Sequence, residues 1–354
     1  MKKIISYLVI SVISIFLVFF VHNNDFLYNS TIMKITSIKT ISEDYDYNNL
    51  GIREAIYKKK ISGIITNGKL HGKKINTIYE ESYSSVVTEK YKIGDKVFLD
   101  KNYEIDGLKR DVYLMYILIL FVIGLFVIGK FRGLLTLFSV IFNGIVFYIS
   151  LDLYSRGVSL LLLTVISSII FTTLSLIVAS GFNKKTYAAI ISVIVSFVFL
   201  LLLLLLIVFT TKYRGINFNG LSFLTVPGED IFIEGLLIGC LGAIMDVSIT
   251  MSSSISELID KSKNISNSSL YKSSKQIGSD IMPTMINVLF FTYLCGGLPI
   301  FVLAIRNGFS VYNYITTNYT LELTRFLSGS IGIVSTIPIA TFISIKMFRG
   351  EEYE

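Results

Sequence analysis

Charged residues are scarce in this chain of 354 residues, and cysteines are scarcer still. Aspartate, glutamate, lysine and arginine make up 16% of the sequence, whereas hydrophobic residues make up 53%. A soluble protein of this length needs more charge on its surface, so the composition favours a membrane protein. The two cysteines, Cys240 and Cys295, both fall in hydrophobic stretches. This excludes a disulfide framework and a cysteine-based zinc site.

Two motifs of enzymes are also missing from the sequence. No Gly-x-x-x-x-Gly-Lys-Ser/Thr loop is present, so the chain does not hydrolyse ATP by that route. The Gly-x-Gly-Asp pattern of intramembrane aspartyl proteases is replaced by Ile277-Gly278-Ser279-Asp280, which disfavours that activity. We therefore expect a protein that is not an enzyme and that has no cofactor and no metal site.

Long hydrophobic runs are abundant. A hydrocarbon core of roughly 30 Å requires about 20 helical residues, and eight runs reach or approach that length. They are Ile4–Val21, Val112–Ile128, Leu134–Leu151, Val158–Ala179, Tyr187–Thr210, Ile231–Met251, Ile281–Ile305 and Leu321–Ile345. The first has a basic start but no small-x-small cleavage site, so we interpret residues 1–21 as an uncleaved anchor. The sequence predicts a mainly α-helical, polytopic membrane bundle of about eight spans.

Lysine and arginine set the predicted orientation of these spans. Twelve basic residues lie in the loops of one side: Lys2, Lys3, Lys130, Arg132, Lys184, Lys185, Lys261, Lys263, Lys272, Lys275, Lys346 and Arg349. The short loops of the other side hold four: Arg156, Lys212, Arg214 and Arg306. The positive-inside rule then places both termini in the cytoplasm of a cell membrane and residues 22–111 outside. Since the net charge of +7 is explained by topology, no nucleic-acid partner is expected.

Residues 22–111 form the only stretch that is large enough for a soluble domain. Short segments rich in Ile, Val and Thr predict five strands: Thr31–Ile41, Lys60–Gly68, Lys73–Glu80, Ser85–Glu89 and Lys96–Asp100. Turn signals such as Asn67-Gly68 and Gly94-Asp95 separate them. The pattern is typical of a small β barrel or sandwich, and an oligonucleotide-binding-type barrel is one candidate.

The membrane part divides by composition. Residues 112–211 hold spans two to five, which are very apolar and typical of lipid-facing helices. Residues 212–354 hold spans six to eight, which carry the glycines, the acidic residues and three of the four prolines, followed by a short cytoplasmic tail. This contrast predicts a lipid-facing scaffold that holds a polar functional bundle.

One helical face of the sixth span combines glycines with polar residues. Gly235, Gly239, Gly242 and Asp246 recur at spacings of three and four, and Thr250 continues the stripe. The glycines permit close approach of a neighbouring helix. An aspartate at the centre of a span costs roughly 2.5–3.5 kcal/mol on insertion scales, which favours a functional role for Asp246.

The seventh span repeats the arrangement with Asp280, Thr284 and Asn287 at spacings of four and three. We expect Asp246 and Asp280 to line one polar crevice, where two close carboxylates would share a proton or bind a cation. The alternative is that Asp280 caps the helix, with Pro283 in the first turn. If the helix starts upstream instead, Pro283 removes a backbone hydrogen bond and kinks the helix.

The eighth span adds a set of residues on one face: Glu322, Arg325, Gly329, Gly332 and Thr336. Arg325 is the natural counter-charge for one membrane carboxylate, with Glu322 as the other charged candidate. Alternatively, Glu322 and Arg325 pair with each other near the outer interface.

Three stretches resemble the YibE/F family of bacterial multipass membrane proteins. They are "GCLGAIMDVSITMSSSISEL" (Gly239–Leu258), "SSKQIGSDIMPTMINVLFFTYLCGGLP" (Ser273–Pro299), and "NGKLHGKKI" together with "YKIGDKVFL" in residues 22–111. The resemblance runs from Ile61 onward. It implies a polytopic topology and importance for Asp246, Asp280 and Asn287, although Pro283 stands where the family pattern often has glycine. It implies no substrate.

Two functions of different classes remain open on the sequence. The first is a secondary transporter or permease that uses the membrane carboxylates for a cation, a proton or a small solute. The second is a non-catalytic signalling or assembly protein whose extracytoplasmic domain binds a partner. Besides the lipid bilayer, a homo-oligomer and a partner membrane protein are both compatible with this pattern.

Overall fold

The computed structural model describes residues 14–47, 53–85, 88–216, 218, 228–262 and 265–349. The chain divides into two compact units, Met1–Lys130 and Phe131–Glu354.

The first unit contains one five-stranded antiparallel sheet. Its strands are β1 (Thr31–Tyr47), β2 (Arg53–Ile65), β3 (Lys74–Ser82), β4 (Lys96–Leu99) and β5 (Ile105–Leu108), in the order β3-β2-β1-β4-β5. β1 is the hub of the sheet, since it pairs with β2 along its length and with β4 at its start. The small β domain expected from the sequence is therefore present.

Alternating apolar residues build the core of this domain. Met33, Ile35, Ile61 and Val97 are at most 1% exposed and pack together against the side chain of Tyr91. The prediction of a strand over Ser85–Glu89 is wrong for its described residues, Ser85, Thr88 and Glu89, which form a bend and irregular structure. The fifth strand is instead Ile105–Leu108, which pairs with β4.

A buried ionic cluster joins the β domain to the helix that follows it. The Lys109 ammonium is 2% exposed and donates to Asp111 Oδ2 at 2.8 Å and to Asn24 Oδ1 at 2.7 Å. Asp25 Oδ1 lies 3.4 Å from the same ammonium, and the Tyr28 hydroxyl donates to Asp111 Oδ2 at 2.9 Å. Since each charge has an opposite charge and further hydrogen bonds, the chain is held firmly where it leaves the sheet.

The described residues also form eight α-helices. The first, α1, is described over residues 14–22 and follows a segment of the predicted first span that lies outside the described residues. The others are α2 (Asp111–Ser155), α3 (Leu160–Ser180), α4 (Lys184–Thr211), α5 (Gly228–Lys261), α6 (Asn267–Arg306), α7 (Val311–Asn318) and α8 (Thr320–Arg349). α2 is interrupted at Lys130, which has a φ of 51°.

Seven helical segments are long and apolar enough to cross a membrane within the described part of the chain. They are Asp111–Lys130, Arg132–Ser155, Leu160–Ser180, Lys184–Thr211, Ile231–Lys261, Asn267–Arg306 and Thr320–Arg349. Each coincides with one of the predicted spans two to eight. The protein is thus a helical membrane bundle with a small β domain near its N-terminus.

α5 is the central helix of the second unit. In its most apolar stretch 56% of the residues are buried, compared with 39% in α4 and α8 and 11% in α6. α5 and α8 run side by side, and the buried hydroxyls of Ser252 and Ser344 share a hydrogen bond of 2.9 Å between them. This arrangement leaves α6 as a peripheral helix with much of its surface uncovered.

Candidate functional site

The predicted polar stripe lies on the open face of α5. Asp246 and Thr250 are exposed, whereas the residues on the opposite face of the helix are buried. Gly242 has open space around it, because a Cβ atom added there would meet no other atom within 4 Å. The stripe is therefore accessible from one side of the bundle at the depth where an ionisable side chain is costly.

The two glycines at the start of α5 make room for polar side chains from neighbouring helices. A Cβ atom on Gly235 would lie 3.5 Å from Arg325 Nη2, and one on Gly239 would overlap the hydroxyl of Tyr293. The sequence predicts that a neighbouring helix approaches closely at these two glycines. In the structure, the atoms nearest to them belong to the side chains of Arg325 and Tyr293. On α8, Gly329 and Gly332 are close to apolar side chains.

Asp246 has no counter-charge within the described part of the chain. No ion pair or hydrogen bond to its carboxylate is found there, and the nearby Thr250 hydroxyl donates to the backbone carbonyl of Asp246 at 2.7 Å. An unpaired carboxylate on a membrane helix requires water, a proton or a cation for its solvation. Asp246 is consequently the side chain on this stripe that is best suited to bind an ion.

Asp280 lies in the interior of α6. The helix begins at Asn267, and the Ser266 hydroxyl accepts a hydrogen bond from Ser269 N at 3.2 Å as its cap. The interpretation of Asp280 as the helix cap is therefore wrong. Its exposed carboxylate accepts a hydrogen bond from Gln276 Nε2 at 3.3 Å. Pro283 lies inside the helix, as expected if the helix starts upstream of Asp280.

The relative levels of Asp246 and Asp280 follow from Gly329 of α8. A Cβ atom on Gly329 would lie 3.3 Å from Cys240 Cβ and 3.0 Å from Leu289 Cδ1, so Cys240 and Leu289 lie at similar levels. Asp246 is six residues after Cys240, and Asp280 is nine residues before Leu289 on the next, oppositely directed span. At 1.5 Å per residue, the two aspartates differ in level by about 4–5 Å.

No hydrogen bond connects the two aspartates, both of which are described. Thr284 and Asn287 are exposed on the same face of α6 as Asp280. This face is turned away from Gly278 and Leu289, which are buried. The structure thus places all five candidate binding residues at exposed positions, but it does not join the two stripes through side-chain contacts.

Arg325 pairs with its neighbour on α8. Its Nη1 atom lies 3.0 Å from Glu322 Oε1, and the two side chains are only 18% and 23% exposed. Arg325 is therefore the counter-charge of Glu322, and the structure gives it no ion pair with Asp246 or Asp280. Arg325 Nε and the Tyr293 hydroxyl are both buried without a hydrogen-bond partner in the described chain. These groups form a partly buried polar cluster between α5, α6 and α8.

Glu234 is a further buried carboxylate that our sequence reasoning missed. It is 7% exposed and immediately precedes Gly235 on α5. The available signal was its position inside the predicted run Ile231–Met251, where any acidic residue is unusual. Glu234 lies outside the helical spacing of the glycine stripe, which is why that spacing does not reveal it.

Comparison with known proteins gives a consistent result over nearly the whole chain. Residues 117–350 match the family of YibE/F-like proteins, and residues 26–111 match the YibE/F family N-terminal domain. No curated protein and no solved structure shows a significant match.

Proposed function

Since this chain belongs to the YibE/F family, as its sequence resemblance indicated, we propose that it acts within that family as a secondary transporter or permease. Asp246 is the proposed binding residue, and its ligand is a proton or a small cation. Thr250 on the same face supplies a hydroxyl oxygen. We further propose that the termini are cytoplasmic and that the β domain is extracytoplasmic, as the distribution of basic residues predicts.

The observation that supports this proposal is the unpaired carboxylate on an accessible face. A purely structural aspartate inside a membrane bundle is expected to be paired or hydrogen-bonded, because an unsatisfied charge there is costly. Asp246 has neither kind of partner in the described chain. Gly242 leaves the adjoining surface bare, so that a hydrated ion has space to approach.

The test is ion flux in liposomes that contain the purified protein. A pH-sensitive dye inside the vesicles reports proton movement, and an imposed sodium or potassium gradient tests cation coupling. Asp246→Asn keeps the shape of the side chain and removes its charge, so flux should fall to that of protein-free vesicles. Asp260→Asn is the matched control, since Asp260 is exposed near the end of the same helix.

The control variant should retain wild-type flux. Unchanged flux in Asp246→Asn, at equal protein content per vesicle, would exclude this carboxylate as the transport group. If the wild-type protein transports neither protons nor the two tested cations, the signalling or assembly function is favoured over transport.

That second function is favoured by the ionic cluster beneath the β domain. Lys109, Asp111 and Asn24 hold the sheet to the start of α2 through buried hydrogen bonds. Through such a connection, a change in the β domain on partner binding would be transmitted to α2. A partner-binding role predicts that Asp246→Asn leaves the cellular phenotype intact, whereas disruption of the Lys109 cluster removes it.

A further inference from the structure

α6 carries a polar stripe on the face that points away from the bundle. Gln276, Asp280, Thr284 and Asn287 follow one another at spacings of four, four and three, and all four are exposed. The opposite face of α6 contains Leu270, Ser274, Gly278 and Leu289, which are buried against the rest of the second unit. Among the described residues of this unit, no helix covers the polar stripe.

Two of these residues lie within the apolar segment of the helix. Thr284 and Asn287 belong to the run Ile281–Ile305, so a single isolated copy of this unit presents an amide and a hydroxyl at membrane depth. Lipid chains offer no hydrogen bonds to the Asn287 amide, so its unsatisfied donors and acceptor destabilise the isolated copy. A polar partner at this face removes that cost.

We propose that a second copy of this chain covers the stripe, with α6 packed against α6 of the partner. Copies of one membrane protein insert in the same direction, so a closed pair has its twofold axis along the membrane normal. Two α6 helices related by that axis run parallel and place identical residues at the same level.

Asn287 suits this arrangement because its side chain both donates and accepts hydrogen bonds. The Asn287 carboxamide faces the same group of the partner subunit, and each accepts what the other donates. Hydrogen-bonded pairs of polar side chains promote the association of membrane helices. Exposed Val288 and Phe291 extend the surface by apolar packing.

The pairing also changes the surroundings of Asp280. It lies seven residues before Asn287, about 10 Å along the helix, where the polar first part of α6 meets the apolar run. In the pair, the two Asp280 carboxylates lie at one level near the twofold axis, where they share a proton because two close negative charges repel. The inference rests on exposure and helical position, and it does not depend on transport by Asp246.

The chain supplies a thiol for a first test. Cys295 is exposed on α6 two turns beyond Asn287, whereas the other cysteine, Cys240, is buried. Oxidation of membranes with copper phenanthroline should produce a disulfide-linked dimer of the wild-type protein. Cys295→Ala should abolish that dimer, which also provides a background for introduced cysteines.

The decisive comparison uses two introduced cysteines at matched positions. Phe291 on the proposed interface is 61% exposed, and Leu206 on α4 is 62% exposed. Their depth is also similar, within about one helical turn, because Leu200 lies against Gly332 and Leu289 against Gly329 on α8. In the Cys295→Ala background, Phe291→Cys should cross-link and Leu206→Cys should not.

Replacement of the Asn287 amide then distinguishes a specific dimer from cross-links that form by random collision of copies in the membrane. Adding Asn287→Leu to the Phe291→Cys variant should reduce the cross-linked fraction severalfold at unchanged membrane abundance. Equal cross-linking of Phe291→Cys and Leu206→Cys would overturn the proposal, as would an absence of dimer from Phe291→Cys. Cross-linking that is insensitive to Asn287→Leu would also overturn it, because the pairing would not depend on the polar stripe.

Discussion

Gly278 of α6 lies directly against Ile337 of α8. A Cβ atom on Gly278 would overlap the Cγ2 methyl group of Ile337, which is fixed to the backbone by its branched side chain. Gly278 is buried and lies inside the helix. The absence of a side chain at this position is therefore what lets α6 and α8 approach.

Gly278→Ala should destabilise the bundle in spite of alanine's higher helix propensity. Overpacking typically costs about 1–3 kcal/mol, while replacing an interior helical glycine by alanine contributes about 1 kcal/mol in the favourable direction. The matched control is Gly296→Ala on the same helix, since a Cβ atom there meets nothing within 4 Å. Unfolding of the purified protein by sodium dodecyl sulfate in mixed micelles should show a loss of stability for the first variant alone.

Glu322 and Arg325 should behave as an energetically coupled pair. Removing one partner leaves the other charge partly buried, so Glu322→Gln and Arg325→Gln should each lower membrane abundance or stability. The double variant should lose less than the sum of the single losses. The same detergent titration, applied as a double-mutant cycle, measures this coupling. Strict additivity would mean that the observed contact contributes nothing.

The β domain should fold as an isolated fragment, and the ionic cluster should stabilise it. A fragment of residues 22–113 keeps both Lys109 and Asp111, and its circular-dichroism spectrum should be mainly β. Asp111→Asn in this fragment should cost about 1–3 kcal/mol in urea unfolding, because the buried Lys109 ammonium loses its closest carboxylate. Asp106→Asn, at an exposed position of β5, serves as the control.

Alkaline pH should destabilise the same fragment. Burial raises the pKa of Tyr91 above its usual value of 10, and a hydrogen bond to Tyr79 raises it further. The unfolded state then loses this proton at lower pH than the folded state does. The stabilising contribution is complete below about pH 10 and is lost as the pH rises through the folded pKa. Tyr91→Phe should show a weaker fall in urea stability between pH 9 and pH 11.5, and an identical fall would contradict the assignment.

The β strands show where sequence reasoning succeeds and where it fails. The sequence predicts Thr31–Tyr47 and Arg53–Ile65 in part, because segments of both strands are rich in Ile, Val and Thr and are bounded by turn signals. Ser85–Glu89 has a similar composition, yet its described residues, Ser85, Thr88 and Glu89, belong to no strand. Ile105–Leu108 contains glycine and aspartate, yet it pairs with β4 because the chain turns back there. Pairing is decided by tertiary contacts that strand propensity does not contain.

The membrane spans were predictable because the bilayer imposes their length and composition. The contacts of individual polar residues are less predictable from the sequence. Helical spacing placed Asp246 and Thr250 on one face, but it did not show which face of α5 the bundle covers. Likewise, the sequence around Pro283 is compatible with a helix that starts there and with a helix that starts upstream. The structure shows the second case, because the polar residues from Asn267 onward are already helical. Burial of Glu234 required the packing itself.

The length of α6 has a mechanical consequence. Its 40 residues extend about 60 Å, roughly twice the hydrocarbon thickness of a bilayer. The apolar run begins at Ile281, so the first 14 residues, Asn267 to Asp280, project about 20 Å beyond it as a polar rod. A tilt of about 10° in the membrane would swing the tip of this rod by roughly 3–4 Å. Because Leu270, Ser274 and Gly278 of this segment are buried against the second unit, the helices that contact it would have to move with it.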